Sequence, residues 1–112
     1  MANKDLLLDA DFEVDLFIER KNATTRAWEA ATGLTSVVGR ISLTKTGSAA
    51  GSCTVALTEA GTTGRYVGVI DTATLVSALA AYENQSVYVI GSKSGDFDRV
   101  FGEYTVVRSL AI

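Results

Sequence analysis

The sequence contains no histidine and no proline, and it has a single cysteine, Cys53. Without histidine, Ser-His-Asp and Cys-His nucleophile systems, imidazole acid–base catalysis and imidazole metal ligands are all excluded. One cysteine forms no internal disulfide and cannot build a zinc or iron–sulfur site by itself. We therefore interpret Cys53 as a small half-buried strand residue in a protein made in a reducing cytoplasm.

Several sequence signals of binding or targeting are also missing. The apolar runs are far too short to cross a bilayer, and residues 1–6 lack the pattern of a secretory signal. Gly61 and Gly64 are not followed by the Gly-Lys-Ser/Thr of a phosphate loop, and no G-x-G-x-x-G is present. Because no basic stripe occurs, we expect neither nucleic acid nor membrane among the partners.

The chain of 112 residues is 47% hydrophobic and 21% charged, which predicts one domain over residues 1–112 with a core of its own. The net charge of −3 is unevenly distributed. Residues 1–20 hold six acidic and two basic residues, whereas the remaining residues together carry +1. The acidity therefore belongs to one part of the chain.

Period-two alternation predicts a strand at 12–18, with Phe12, Val14, Leu16 and Ile18 facing the core. Glycine-rich turns and β-type residues predict further strands, and the small residues 46–52 predict a loop. The further strands are 37–44, 54–58, 65–70, 87–90 and 99–108. Residues 72–82 form the one predicted helix, capped by Asp71 or Thr72 and presenting Leu75, Leu79 and Tyr82 on one side.

About seven short strands with a single short helix predict an all-β fold. The first expectation is an immunoglobulin-like β-sandwich, and the alternative is a small β-barrel. The chain holds no proline-rich or charged linker that would divide it into two domains.

Carboxylates provide the remaining route to metal binding or catalysis. Those in the first strand alternate along one face, and a second Asp-x-Asp follows Gly95. The row could be a solvated face that discourages edge pairing, a surface for a basic partner, or a calcium site. The second pair is interpreted as a turn followed by an outward-facing strand residue. The residues concerned are Asp9, Asp11, Glu13, Asp15, Asp96 and Asp98. Since a glycosidase needs two carboxyl groups flanking a cleft, no enzyme is expected in so small a domain.

Two aromatic residues stand out. Phe17 lies among carboxylates, out of phase with the predicted core, as either an isolated surface residue or an anchor covered by another protein. Trp28 follows a turn and is either a core residue at the end of the sandwich or a platform for a sugar or a neighbouring chain.

Both ends of the sequence are apolar. Leu6, Leu7 and Leu8 lie in a predicted arm at about 4–10, and Leu110 and Ile112 lie in a tail at 109–112. The domain itself could cover them, but we favour docking of these segments on neighbouring subunits. The predicted interface thus comprises Leu6, Leu7, Leu8, Phe17, Trp28, Leu110 and Ile112, with no catalytic residue, metal or cofactor.

One segment resembles a known group of proteins. It runs through Leu57-Thr58-Glu59 to Gly64-Arg65-Tyr66-Val67-Gly68-Val69-Ile70-Asp71, with Val87–Ile90 further on. The pattern is similar to the "L-T-E … G-x-Y-x-G-x-I-D" stretches of immunoglobulin-like modules in head, neck and baseplate proteins of tailed bacteriophages, and it covers residues 37–108. It marks a fold element and carries over no functional residue.

This resemblance implies a non-enzymatic virion component, assembled in the bacterial cytoplasm. It would be a head decoration, a neck or connector component, or a tail accessory protein. Its partners would be capsid, portal or tail proteins and further copies of itself in symmetric arrays. The alternative is a carbohydrate-binding or adhesion module that uses Trp28 and Phe17, with calcium at the Asp-x-Asp turns as an option.

Overall fold

A computed structural model describes residues 4–108 as nine strands, one α-helix and a 3₁₀ turn. This confirms the predicted all-β fold with one short helix. The strands are β1 (Lys4–Leu7), β2 (Phe12–Phe17), β3 (Glu19–Lys21), β4 (Trp28–Ala30), β5 (Val37–Ser42), β6 (Ala49–Glu59), β7 (Arg65–Ile70), β8 (Ser86–Lys93) and β9 (Phe97–Val107). Helix α1 (Thr72–Leu79) and the 3₁₀ turn Ala80–Tyr82 separate β7 from β8.

Seven strands form one mixed sheet in the order β1-β9-β8-β5-β6-β7-β2. Strand β1 is parallel to β9, and the other neighbours are antiparallel. The eleven-residue β6 pairs with β5 over one part of its length and with β7 near its end. Strand β6 therefore joins β1, β9, β8 and β5 to β7 and β2 in one continuous sheet. The sheet curves into a near-barrel, which is the second of the two predicted arrangements. Strands β3 and β4 form a separate two-stranded ribbon.

The core lies inside this near-barrel, where β2 contributes the predicted alternate residues. Val14, Leu16 and Ile18 are buried. Strand β2 approaches the opposite wall closely, because a Cβ at Gly91 of β8 would lie 2.5 Å from Leu16 Cδ1. A side chain at Gly91 would displace the end of the Leu16 side chain and the ring of Phe101. The predicted strand 37–44 is shorter in the structure, because β5 ends at Ser42, and Leu43 beyond it is exposed.

Helix α1 begins where the sequence predicts, and two carboxylates hold its first turn. Asp71 accepts a hydrogen bond from Thr74 N at 2.8 Å. Asp11 accepts from both the backbone N and the Oγ1 of Thr72 at 2.9 Å. Leu75 and Leu79 are buried, so the helix packs on the barrel. These two acceptors satisfy donors that the first helical turn leaves without intrahelical partners.

The predicted loop at 46–52 is wrong in its second half, because β6 already begins at Ala49. Small residues are needed here since the helix lies against this strand. Cys53 is fully buried, as a strand residue, and its Sγ lies 3.9 Å from the Thr74 carbonyl oxygen. Burial raises the pKa of the Cys53 thiol, so it is a packing residue and a weak nucleophile.

The apolar arm lies in the core of its own domain. Leu6 and Leu8 are 0% and 1% exposed, because β1 pairs with β9 and Leu8 N donates to Val107 O at 2.9 Å. They cannot contact a neighbouring subunit in this fold, which corrects the predicted interface at these two positions. Leu7 is partly exposed.

The connection 31–36, which follows the β3–β4 ribbon, is fixed to the barrel by Tyr66 and Glu59. The fully buried Tyr66 donates its hydroxyl to Ala31 O at 2.5 Å and accepts from Leu34 N at 3.1 Å. Glu59, opposite Tyr66 in the β6–β7 pair, accepts from Gly33 N at 2.8 Å and Gly64 N at 2.9 Å. The β6–β7 pair thus holds both the connection 31–36 and its own turn at Gly64.

Replacing Tyr66 by phenylalanine tests this anchor. Tyr66→Phe leaves the Leu34 N–H and the Ala31 carbonyl without the hydroxyl, and we expect a loss of about 1–3 kcal/mol in the free energy of unfolding. Urea denaturation measures it. Tyr88→Phe is the control, because that hydroxyl has no hydrogen bond within residues 4–108. Equal stabilities of the two variants would contradict the assignment.

Gly64 tests how the ribbon joins the barrel. Gly64 has φ +80°, and a Cβ there would lie 2.8 Å from Ala30 Cβ, whereas Gly61 has φ +74° and a Cβ there would make only an ordinary contact of 3.9 Å with Thr63 Cγ2. Gly61→Ala should cost about 1 kcal/mol from backbone strain. Gly64→Ala should cost a further 1–3 kcal/mol, roughly, from overpacking. Midpoints of urea unfolding compare the two, and indistinguishable midpoints would refute the contact.

Candidate protein-binding site

The near-barrel is open along one seam, where β2 and β3 run beside β9. Strand β2 pairs only with β7, β3 pairs only with β4, and β1 covers β9 only from Tyr104 to Val107 within the described part of the chain. At the closed end of the seam, the rings of Phe12 and Tyr104 meet edge to face with centroids 5.1 Å apart. Side chains, and not main-chain hydrogen bonds, therefore close the barrel here.

At the other end the seam widens into a cleft of about 340 Å³, which we call the Trp28 cleft. One wall comes from β3 and β4, and the other from the start of β9. Trp28 is 62% exposed. The lining residues are Ile18, Glu19, Arg20, Lys21, Trp28, Asp96, Phe97 and Arg99. An exposed indole beside a cleft is a common feature of binding surfaces.

Charged side chains of both signs line the same cleft as the indole. Arg20 forms an ion pair with Asp96 across the seam. Arg99 lies over the rings of Phe97 and Phe101, with its Cζ 5.7 and 5.2 Å from their centroids. Because the guanidinium stacks on these rings, it is held at the rim of the cleft. The cleft thus combines apolar walls with a polar rim.

The β3–β4 turn holds Trp28 in this position. Asn22 Oδ1 accepts from Thr24 N at 2.8 Å and from Thr25 N at 2.9 Å, while Asn22 Nδ2 donates to Glu29 at 2.9 Å. Trp28 lies opposite Lys21 in a ribbon of three residue pairs. Every residue of this narrow ribbon is exposed, so the alternative that placed Trp28 in the core is wrong.

Phe17 belongs to a different surface, the outer face of β2 and β7. Phe17 and Val69 are 53% and 54% exposed, and Phe17 lies opposite Arg65. On the same face, Arg65 makes a bidentate ion pair with Asp15, with nitrogen–oxygen distances of 2.6–3.0 Å. Hydrogen bonds from Arg65 lower the pKa of Asp15. We call this surface the β2–β7 face.

The calcium hypothesis fails for both acidic segments. Asp9 lies in a turn before β2, Asp11 binds Thr72, and Asp15 binds Arg65, so the predicted row does not converge. Asp96 pairs with Arg20, and Asp98 pairs with Arg40 at 2.8 Å. Within residues 4–108, no three acidic or cysteine side chains are grouped to hold a metal ion. The predicted turn before Asp96 is confirmed.

A second groove, of about 770 Å³, lies on the other side of Asp96 and Phe97. Its two basic side chains are already engaged: Arg40 binds Asp98 and the Gly47 carbonyl, and Lys93 donates to the Thr35 carbonyl. Hydrogen bonds from Arg40 lower the pKa of Asp98, so this carboxylate stays ionised and is a poor general acid.

Leu110 and Ile112 lie outside the described residues. No family model, curated protein or solved structure matches the chain. Within residues 4–108, no helix is long and apolar enough to span a membrane.

The sequence identified Trp28 and Phe17, and the structure exposes both while placing them on separate surfaces. It missed Phe97 and Arg99, which complete the Trp28 cleft. Strand alternation puts these two residues on one side of β9, but no local signal indicates that β3 passes beside them. The contact between Arg20 and Asp96 joins residues far apart in the chain.

The ion pairs make stability depend on pH. Asp15 and Asp98 have lowered pKa values in the folded protein, through hydrogen bonds from Arg65 and Arg40. Unfolded aspartates titrate at about pH 4, so this stabilisation is complete above about pH 4 and is lost as the pH falls through the lower folded-state values. The double variant Asp15→Asn/Asp98→Asn should therefore lose less stability between neutral pH and roughly pH 3 than the natural sequence.

Chemical denaturation at the two pH values measures this difference. Asp9→Asn is the matched control, because Asp9 is exposed and makes no ion pair within residues 4–108. An unchanged pH dependence in the double variant would show that the two ion pairs do not stabilise the fold.

Proposed function

We propose that this chain is a non-enzymatic structural protein that acts by binding other protein chains. The observation that carries the proposal is the exposure of Trp28 beside a cleft between β3 and the start of β9, each of which pairs with another strand on one edge only within residues 4–108. Exposed aromatic side chains in polar surroundings are the usual anchors of protein interfaces. The β2–β7 face supplies a second apolar surface through Phe17 and Val69.

The electrostatics support binding in preference to catalysis. Every aspartate with a shifted pKa has a lowered one, because hydrogen bonds from an arginine or from the first turn of α1 stabilise its ionised form. A general acid or base working near neutral pH needs the opposite shift. These carboxylates instead hold strands and the helix in place.

We further propose that the protein is an accessory virion component of a tailed bacteriophage, as a head decoration, neck or connector, or tail protein. The support is the sequence resemblance over 37–108. In the structure its central segment is the β6–β7 hairpin with the cap of α1, including Glu59, Gly64, Tyr66 and Asp71. These residues anchor loops, so a family sharing the pattern would share this structural device.

A carbohydrate-binding module is the second candidate. Trp28 could stack against a sugar ring while Glu19, Asp96 and Arg99 contact hydroxyl groups at the rim of the same cleft. Specific binding to a glycan array, lost in Trp28→Ala, would favour this function over protein assembly.

Self-association tests the assembly proposal. We expect the apparent mass of the protein to rise with concentration in analytical ultracentrifugation, and Trp28→Ala and Phe17→Ser to reduce that rise. Both side chains are more than half exposed, so the variants should keep the unfolding free energy within about 0.5 kcal/mol. Lys45→Ser is a surface control away from both sites. A monomer at every concentration, with no binding to phage capsid, portal or tail proteins, would refute the proposal.

A further inference from the structure

We propose that residues 109–112 of a second copy of this chain bind in the Trp28 cleft. The inference rests on the proposed assembly function and names the partner segment and the site. It makes the contact heterologous, because one copy contributes its segment and the other contributes its cleft. Repetition of such a contact builds a ring or an open filament.

The cleft offers main-chain edges to an extended segment. On one side, β3 pairs only with β4; on the other, residues 97–102 of β9 pair only with β8 within the described chain. An extended peptide can add its own N–H and C=O groups to such edges, which is the β-augmentation mode of recognition. The volume of the cleft, about 340 Å³, suits a short segment and not a folded domain.

The chemistry of residues 109–112 suits this cleft. Ser109, Leu110, Ala111 and Ile112 carry no charged side chain. Their two large apolar side chains would cover the indole of Trp28 and the ring of Phe97, while Arg20 and Asp96 already satisfy each other's charge. Binding would therefore bury apolar surface without leaving a side-chain charge of the segment unpaired.

The segment must come from another copy, because its own cleft is too far away. Arg99 and Val107 are eight residues apart on β9, which corresponds to about 26 Å of strand. The five residues that follow Val107 span at most about 18 Å. In addition, β1 occupies the outer edge of β9 from Tyr104 to Val107, so the segment has no free path back along that edge.

Trp28 is the only tryptophan, so its fluorescence reports directly on the cleft. The probe is a synthetic peptide of residues 106–112, added to a chain truncated after Arg108. We expect this peptide to shift the emission of the truncated chain to shorter wavelengths. A peptide with Leu110 and Ile112 replaced by serine should bind at least about tenfold more weakly, which corresponds to about 1.4 kcal/mol.

Calorimetry on variants locates the site. Trp28→Ala should weaken binding of the peptide about tenfold or more, whereas Phe17→Ser, on the separate β2–β7 face, should bind it as the natural sequence does. In the full-length chain, a shift of emission to shorter wavelengths should accompany the rise in mass with concentration. Truncation after Arg108 should abolish the emission shift and reduce the rise in mass.

The outcomes separate this inference from the assembly proposal. If the truncated chain still self-associates and the peptide does not bind, the cleft has another occupant and the inference is wrong, while assembly stands. Equal binding of the two peptides, or unchanged binding to Trp28→Ala, also overturns it. A monomeric full-length chain whose truncated form nevertheless binds the peptide tightly would overturn it too, since the second copy would then not supply the segment.

Discussion

The hydrogen bonds of Tyr66 and Glu59 are the constraint on which the arrangement of this molecule depends. The two residues lie opposite each other on β6 and β7, and between them they bind the backbone at Ala31, Gly33, Leu34 and Gly64. The chain leaves the barrel after Ile18 to form the β3–β4 ribbon and returns through the connection 31–36, which contains three of these four positions. Because the Tyr66 hydroxyl is buried, its two partners replace water completely, and the ribbon is fixed relative to the barrel. The position of Trp28 follows from that attachment.

The incomplete closure of the barrel creates the surface at which we propose binding. A fully closed sheet has no edges, whereas within residues 4–108 β1 covers β9 from Tyr104 to Val107 and leaves its earlier part beside β2 and β3. Packing of Phe12 on Tyr104 seals one end, and the ion pair of Arg20 with Asp96 bridges the other. An edge protected by side chains alone is open to an added strand. The same geometry that leaves this seam unpaired makes it suitable for assembly.

Acidic residues that the sequence suggests as candidate ligands of one kind of site have separate structural roles. Asp11 holds the first turn of α1, Asp15 joins β2 to β7 through Arg65, and Asp98 joins β9 to β5 through Arg40. Alternation places Glu13 and Asp15 on one face correctly, but spacing along a strand does not reveal which arginine approaches it from another element. The apolar triplet Leu6-Leu7-Leu8 shows the same difficulty, because its partner strand follows about a hundred residues later.

The sequence by itself determined the local elements and the exclusions. Alternation defined β2 and its buried face, an aspartate followed by a spaced apolar set defined α1, and glycine turns defined the β6–β7 hairpin. The absence of histidine removed whole classes of chemistry. Tertiary structure alone decided that Leu6 and Leu8 are core, that Trp28 is exposed, and that Phe97 and Arg99 join it in one cleft. The reason is physical: periodicity fixes which residues share a face, whereas long-range strand pairing fixes what that face meets.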